Sequence, residues 1–314
     1  MTERIEIVVP HGTPRTRLEE FVFGRFPGLS RMYLRRIIRD EKCEVNGRLE
    51  NIGFRVRAGD FIEVELDPTR ENSMRPEDVP IEILYEDEYL AVVVKPAGML
   101  VHPTNRDKNG TLLNALAFHF NRPTVDQKSE NLSMSSMNGS AGSSDSVVRP
   151  GLVHRLDRLT SGVMVIAKST RVHRLLARQF QRKTVEKKYL ALVCGSVEPD
   201  EGVIDAAVGR YADEKRWDLK EGAKPAVTRF RVLERYVDTT LLELEPVTGR
   251  TNQLRIHCAS IGHPILGDLG RGGREYNRLC LHAYKLSFDH PVGWRRVSYE
   301  IAVPAEFKNT TKLA

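Results

Sequence analysis

The sequence predicts an α+β chain of two domains, the larger on a mixed sheet rather than a doubly wound parallel one. Three observations carry that prediction. The 314 residues exceed the roughly 250 to 300 at which a single core stops growing. Helical and strand-like periods alternate irregularly, and the strands look antiparallel. Residues 67 to 79 form a charged, proline-bounded stretch of low apolar content, which is expected to link a short N-terminal block to a longer one.

The first block, residues 1 to 66, opens with a strand-like run from Ile5 to Pro10. Leu18, Phe21 and Val22 then share one helical face, with Gly24 and Pro27-Gly28 expected to end that helix. Ser30 is an N-cap for the stretch from Arg31 to Arg39, where Leu34, Ile37 and Ile38 face inward and Arg31, Arg35, Arg36 and Arg39 face outward. One side of this helix is almost wholly basic. Val45-Asn-Gly marks a turn after a strand, and Phe61-Ile-Glu-Val-Glu alternates as a half-buried strand does. Two helices and a small sheet thus make a small α/β domain.

The second block starts near residue 80. Tyr89 to Lys95 is a near-continuous apolar run, a buried strand stopped by Pro96-Ala-Gly, and Leu112 to Phe120 has a helical pattern. Residues 124 to 148 are rich in serine and other small polar residues that cannot offset their own ordering entropy, so a disordered insertion is expected there. Order resumes with Leu152 to Lys168 and a basic helix from Thr170 to Arg182. Strands follow at Tyr189 to Cys194, Val227 to Leu233 and Thr240 to Glu245.

The 48 Lys and Arg outnumber the 42 Asp and Glu, for a net charge of +6, which suits a polyanionic partner. The four cysteines, Cys43, Cys194, Cys258 and Cys280, are scattered, which argues against structural zinc and against a secreted disulfide scaffold and fits a reducing cytoplasm. The N-terminus carries Glu3 and Glu6 without an apolar core behind them, and no run approaches the roughly 18 apolar residues of a membrane span. A soluble, unprocessed protein is expected. No Gly-rich phosphate loop, GxSxG elbow, HExxH or nicotinamide fingerprint is present, so the commonest nucleotide-hydrolysing, acyl-transfer and redox readings fall away.

The densest polar cluster is His154-Arg-Leu-Asp-Arg-Leu-Thr-Ser-Gly162, set between apolar Gly151-Leu-Val and Val163-Met-Val-Ile-Ala. Arginines around Asp157 would favour its carboxylate at neutral pH. On spacing alone, a salt-bridged structural turn and a catalytic carboxylate both account for it. Tyr189, expected to open a strand after Glu186-Lys-Lys, could stack on a base or simply pack at a sheet edge. Pro246-Val-Thr-Gly-Arg-Thr-Asn-Gln-Leu-Arg-Ile-His257 leads through a glycine turn into an expected helix carrying Arg250 and Arg255, suited to a carboxylate, a phosphate or plain solvent.

These segments resemble the pseudouridine synthase branch usually named for RluA and RluD. HRLDRLTSG is similar to that family's HRLDxxTSG, EKKYLALV to its KxYxALV, and PVTGRTNQLRIHCASIGHPILGD to its TGRTHQIRxHxxxxGxPIxGD, in the same order. The resemblance covers residues 80 to 305 and includes Val93-Val-Lys-Pro-Ala-Gly-Met-Leu-Val-His. Separately, Arg17-Leu, Ser30-Arg31, Val45-Asn-Gly and Gly59-Asp-Phe-Ile resemble the spaced elements of an S-four-type RNA-binding domain, which presents its basic second helix, here with Arg31, Arg35 and Arg36, to RNA.

The resemblance implies a catalytic domain over residues 80 to 308 on a mixed, largely antiparallel sheet. It implies an RNA uridine isomerase that needs no cofactor and no metal. Asp157 would attack the target nucleotide or remove a proton, Tyr189 would stack on the flipped uracil, and Arg255 would pair with Asp157. Arg155 would fill the space left in the RNA, with His154 and Arg250 as supports for loop and phosphate. The N-terminal module points to ribosomal RNA of the large subunit, with transfer RNA as the alternative substrate. A non-catalytic RNA-binding or ribosome-assembly protein is the alternative class, and a monomer without membrane association is expected. A hydrolase built on Asp157 would want a second carboxylate, and none stands in these motifs. Two positions depart from the family pattern, Asn252 where histidine is usual and Leu159 where an acid is common.

Overall fold

A computed structural model describes residues 2–26, 29–68, 75–104, 106–122, 148–214 and 216–308. The insertion expected over residues 124 to 148 lies outside them except for its last residue, as does much of the stretch from 67 to 79. The chain divides into two compact units, Met1–Arg75 and Pro76–Ala314.

In the first unit, β1 (Glu3–Val8) and β2 (Thr16–Arg17) precede the helices α1 (Leu18–Arg25) and α2 (Arg31–Arg39). Strands β3 (Cys43–Val45), β4 (Arg48–Leu49), β5 (Arg55–Val56) and β6 (Phe61–Leu66) follow. The main sheet has the order β1-β6-β3-β4, and β2 pairs with β5. Leu18, Phe21 and Val22 of α1 and Leu34, Ile37 and Ile38 of α2 share one core with Val45, Ile62, Val64 and Leu66. The Ser30 hydroxyl accepts the Tyr33 N–H and caps α2 as its sequence indicates. Asn46 and Gly47 both take positive φ, the primed turn that joins β3 to β4. Helix α1 continues one residue past Gly24, because an exposed glycine inside a helix costs only about 1 kcal/mol and does not stop it.

The second unit opens with β7 (Glu82–Glu86), β8 (Leu90–Lys95), α3 (Leu112–Phe120), β9 (Gly151–Leu152) and β10 (Ser161–Ala167). Helix α4 (Thr170–Arg182) is followed by β11 (Glu186–Cys194), β12 (Glu201–Asp205), β13 (Val208–Tyr211), β14 (Arg216–Leu219), β15 (Val227–Arg235) and β16 (Thr239–Pro246). The chain closes with α5 (Gln253–Ser260), β17 (Leu281–Asp289) and β18 (Arg296–Glu300).

One ten-stranded sheet runs β12-β15-β16-β11-β17-β10-β8-β7, with β18 on β17 and β9 on β10. The β10–β17 pairing is parallel and its other pairings are antiparallel, so the sheet is mixed and largely antiparallel as expected. The apolar runs of β8 and β10 are continuous because both faces are covered. Leu90, Val92, Val163 and Val165 pack with Val172 and Leu176 of α4. Ala91, Val93, Met164 and Ile166 pack on the other face with Leu112 and Leu116 of α3. Each fully buried Val, Leu, Ile or Met side chain among them contributes about 1.5 to 3 kcal/mol, so this sandwich anchors whatever the ends of β8 and β10 carry.

Strands β10 and β17 touch over only two residue pairs, Ser161 with His282 and Gly162 with Ala283. Gly162 has φ +134°, and a Cβ there would overlap the backbone of Ala283. Glycine is therefore required where the two halves of the sheet meet.

Candidate active site

The segment from Val153 to Thr160 enters β10 at that junction. Leu156 is buried in the core with Met164 and Ala283, and so fixes the backbone on which Asp157 sits. His154 stacks on Phe180 of α4 with centroids 4.7 Å apart, and its Nε2 accepts the Val165 N–H at 3.1 Å. Burial first, then Lys187, pushes its pKa down to about 3, so it serves as a neutral acceptor that holds the loop. The Asp157 carbonyl accepts the Thr160 N–H at 3.1 Å and tightens the turn.

The far wall comes from β11 and α5. Strand β11 begins at Glu186, so Tyr189 lies inside the strand rather than opening it. Its pairing with β17 shifts register between Lys188 and Tyr189, and this bulge re-aims the ring. Helix α5 begins at Gln253, not before Arg250, because Asn252 takes a left-handed φ of 56° as its N-cap. Arg250 therefore stands in the preceding turn, with its N–H on Gln253 Oε1 at 2.9 Å and its Nε on the Pro225 carbonyl at 3.1 Å. Gln253 ties this turn down through Thr248, Thr228 and the Val227 carbonyl.

These walls enclose a cleft of about 720 Å³ lined by His154, Arg155, Asp157, Tyr189, Arg250 and Arg255 among others. All six residues singled out in the second block meet there. Arg31, Arg35 and Arg36 lie on α2 of the other unit.

The charges of the cleft are arranged differently from expectation. Arg255 does not pair with Asp157. Its Nε and Nη2 each donate at 2.7 Å to the two carboxylate oxygens of Asp268, a bidentate bond to a residue only 2% exposed. Among the described residues the Asp157 carboxylate has no hydrogen bond or ion pair. Burial pushes its pKa up from the ordinary carboxylate value, opposed by Arg255, Arg155, Lys95 and Arg271 in that order. Burial thus outweighs the cations that were expected to hold Asp157 down. Tyr189 has its phenol pushed up, by burial first and by Asp157 second. Arg155 is exposed and, among the described residues, makes no hydrogen bond or ion pair.

A family profile described as RNA pseudouridylate synthase matches residues 89–260, the span holding Asp157, Tyr189 and Arg255. A protein of Aquifex aeolicus named as an uncharacterized RNA pseudouridine synthase is 39% identical over 310 residues, covering 93% of this chain and 92% of the relative. The chain belongs to the RNA pseudouridylate synthase family. Ribosomal large subunit pseudouridine synthase D of Nitrosomonas europaea is 36% identical over 313 residues, covering 96% of this chain and 85% of the relative. Among solved structures, human RNA pseudouridylate synthase domain containing 1 has a TM-score of 0.56 at 27% identity, covering 72% of this chain and 85% of that one.

Three residues that this synthase places at the site were not singled out from sequence. Lys95, fully buried at the end of β8, donates from Nζ to the carbonyls of Pro96, Met99 and Arg158 at 2.7, 2.8 and 3.1 Å. It pins the Asp157 loop to the turn after β8, and burial with the nearby Arg278 lowers its pKa to about 8. Asp268 closes the Pro264-Ile-Leu-Gly-Asp run, where a Cβ on Gly267, at φ +82°, would overlap the Arg278 backbone. Thr160 lines the cleft with a buried hydroxyl that has no partner among the described residues. Among the described residues no helix is long and apolar enough to cross a membrane.

Proposed function

We propose that this synthase converts specific uridines of large-subunit ribosomal RNA to pseudouridine, with Asp157 as the carboxylate that attacks the target nucleotide or removes a proton. The observation that carries the reading is a half-buried carboxylate that has no partner among the described residues and faces Tyr189 across a cleft edged with cations. A target base must leave its helix to reach such a floor, at a cost of a few kcal/mol that stacking and phosphate contacts offset. Tyr189 stacks on the extruded uracil, and Arg155, exposed and without a partner among the described residues, takes the space the base leaves in the RNA. Arg255, held by Asp268, favours the ionised form of Asp157 through space, while His154 and Arg250 hold the loop and the turn that face the phosphates.

In the rearrangement the bond from N1 to the ribose breaks, the uracil rotates and C5 joins the ribose. C5 loses a proton and N1 gains one. No atom is added and no oxidation state changes, so the chemistry calls for no cofactor or metal. Residues 1 to 66 act as an S-four-type RNA-binding module through Arg31, Arg35 and Arg36, joined by residues 67 to 79 to a catalytic domain over 80 to 308. The protein works as a monomer in the cytoplasm. The similarity to relatives named as large-subunit synthases supports the choice of RNA.

The test is pseudouridine mapping by carbodiimide-dependent reverse-transcription stops on ribosomal and transfer RNA. Cells with and without the gene are compared, rescued by wild type or by Asp157→Asn. Stops in ribosomal RNA that vanish on deletion and return only with wild type are expected. Stops that change only in transfer RNA would move the substrate, and an Asp157→Asn rescue that restores them would overturn the mechanism.

A further inference from the structure

Helix α4, whose inner face fills the core and whose flank lines the cleft, carries an exposed arginine stripe that the site does not use. Arg171, Arg174, Arg178 and Arg182 are all exposed, and Lys183 follows at the C-cap. At 3.6 residues per turn these arginines fall within an arc of about 80°, and they span about 16 Å along the axis. The helix, TRVHRLLARQFQR, contains no carboxylate. Among the described residues none of these five cations forms an ion pair; Arg174 donates only to the Thr170 carbonyl, at 3.4 Å. Elsewhere on the unit exposed arginines do pair, as Arg231 with Glu243 at 3.2 Å and Arg274 with Asp238 at 2.6 Å.

The stripe adjoins the cleft. Ala177 and Gln181 of α4 line it, and they are the i+3 neighbours of Arg174 and Arg178. Lys183 and Lys187 continue the positive edge into the cleft itself. A row of unneutralised guanidinium groups fits successive phosphates, each able to take two N–H donors.

We propose that the outer face of α4 is a phosphate track, which holds the RNA backbone flanking the target nucleotide and leads that nucleotide to the cleft. The proposal rests on the isomerase reading for the identity of the RNA. An acidic protein would also be drawn to such a stripe, but the stripe continues the edge of the cleft that takes the RNA.

The test measures binding of the full chain to an unmodified transcript of large-subunit ribosomal RNA over roughly 50 to 200 mM salt, for wild type and for Arg174→Gln with Arg178→Gln. Losing two phosphate contacts lowers the slope of log K against log salt by about 1.5, and each single variant lowers it by about half of that. KM for the transcript rises in the double variant, and rises more at the higher salt. A double variant that melts with wild type and keeps the wild-type slope would overturn the track. Wild type that binds but forms no pseudouridine on any RNA would instead overturn the isomerase reading, while the slopes still decide the track.

Discussion

Arg255 and Arg174 both stand on helices that border the cleft, and their surroundings differ in every respect that matters electrostatically. Arg255 is held by two bonds to a buried carboxylate and sits near another carboxylate, half-buried Asp157, that has no partner among the described residues. Arg174 is exposed, with a single long bond to its own helix. In the desolvated floor a charge acts at short range, through geometry and through the pKa of its neighbour. On the exposed helix a charge is screened by salt within about 10 Å and acts by concentrating polyanion. Substitutions in the two regions should therefore fail in different currencies, the floor in kcat and stability, the helix in affinity and salt dependence.

The largest effect is expected at Asp157. Asp157→Asn keeps the shape and removes the charge, so turnover should fall by about a thousandfold or more while RNA affinity stays within a few-fold. Single-turnover rates with bound transcript measure it. A variant within tenfold of wild type would remove Asp157 from the chemistry.

Next comes the Arg255–Asp268 pair. Replacing Arg255 alone would strand a buried carboxylate, so the informative change is Arg255→Gln together with Asp268→Asn, which removes both charges and keeps hydrogen-bonding capacity. Asp157 then loses the cation that most opposes its burial, and its pKa rises further above the ordinary carboxylate value. Because the ionised form is the active one, activity is lost as pH falls through that pKa. The acid limb of kcat should move to higher pH, with kcat on the plateau down by roughly a hundredfold. An acid limb that stays in place would separate Arg255 from Asp157.

Lys95→Met should be felt as stability. It leaves the carbonyls of Pro96, Met99 and Arg158 without their buried donor. A loss of about 3 kcal/mol, or about 10 °C in Tm for a unit of this size, is expected in calorimetry. An unchanged Tm would mean that water replaces the ammonium.

What could be read from sequence divides along the same line. The inward faces of α1 and α2, the Asn46-Gly47 turn and the buried runs of β8 and β10 follow from local periodicity and turn chemistry, and the structure has them. Six residues from three separate motifs are expected at one site because the motifs match, and they line one cleft. Pairings between motifs were not legible. Nothing local distinguishes Asp157 from Asp268 as the partner of Arg255, since the choice depends on the turn at Gly267 that brings Asp268 under α5. Lys95 ends an apolar run, and only the loop folded over it shows that its ammonium is buried against three carbonyls. The bulge at Tyr189 and the left-handed Asn252 likewise come from tertiary fit.

The smallest effect, and the one that sharpens the contrast most, concerns the two basic helices. Sequence marks α2 as the RNA-facing helix, yet its arginines are partly answered within their own unit. Arg35 reaches Glu19 at 2.5 Å, Arg36 reaches Asp40 at 3.2 Å, and the Arg31 guanidinium lies over the Phe23 ring at 4.3 Å. A phosphate binding there must displace carboxylates, each exposed pair being worth only about 0 to 1 kcal/mol, and the net charge it meets is already reduced. The arginines of α4 meet no such competition among the described residues. Arg35→Gln with Arg36→Gln should therefore lower the salt slope for the same transcript by less than about 1, against about 1.5 for Arg174→Gln with Arg178→Gln. Equal slopes would show that the α2 pairs open fully on binding and that the two helices share the backbone evenly. A larger loss at α2 would make the N-terminal unit the principal phosphate contact and reduce α4 to a rim.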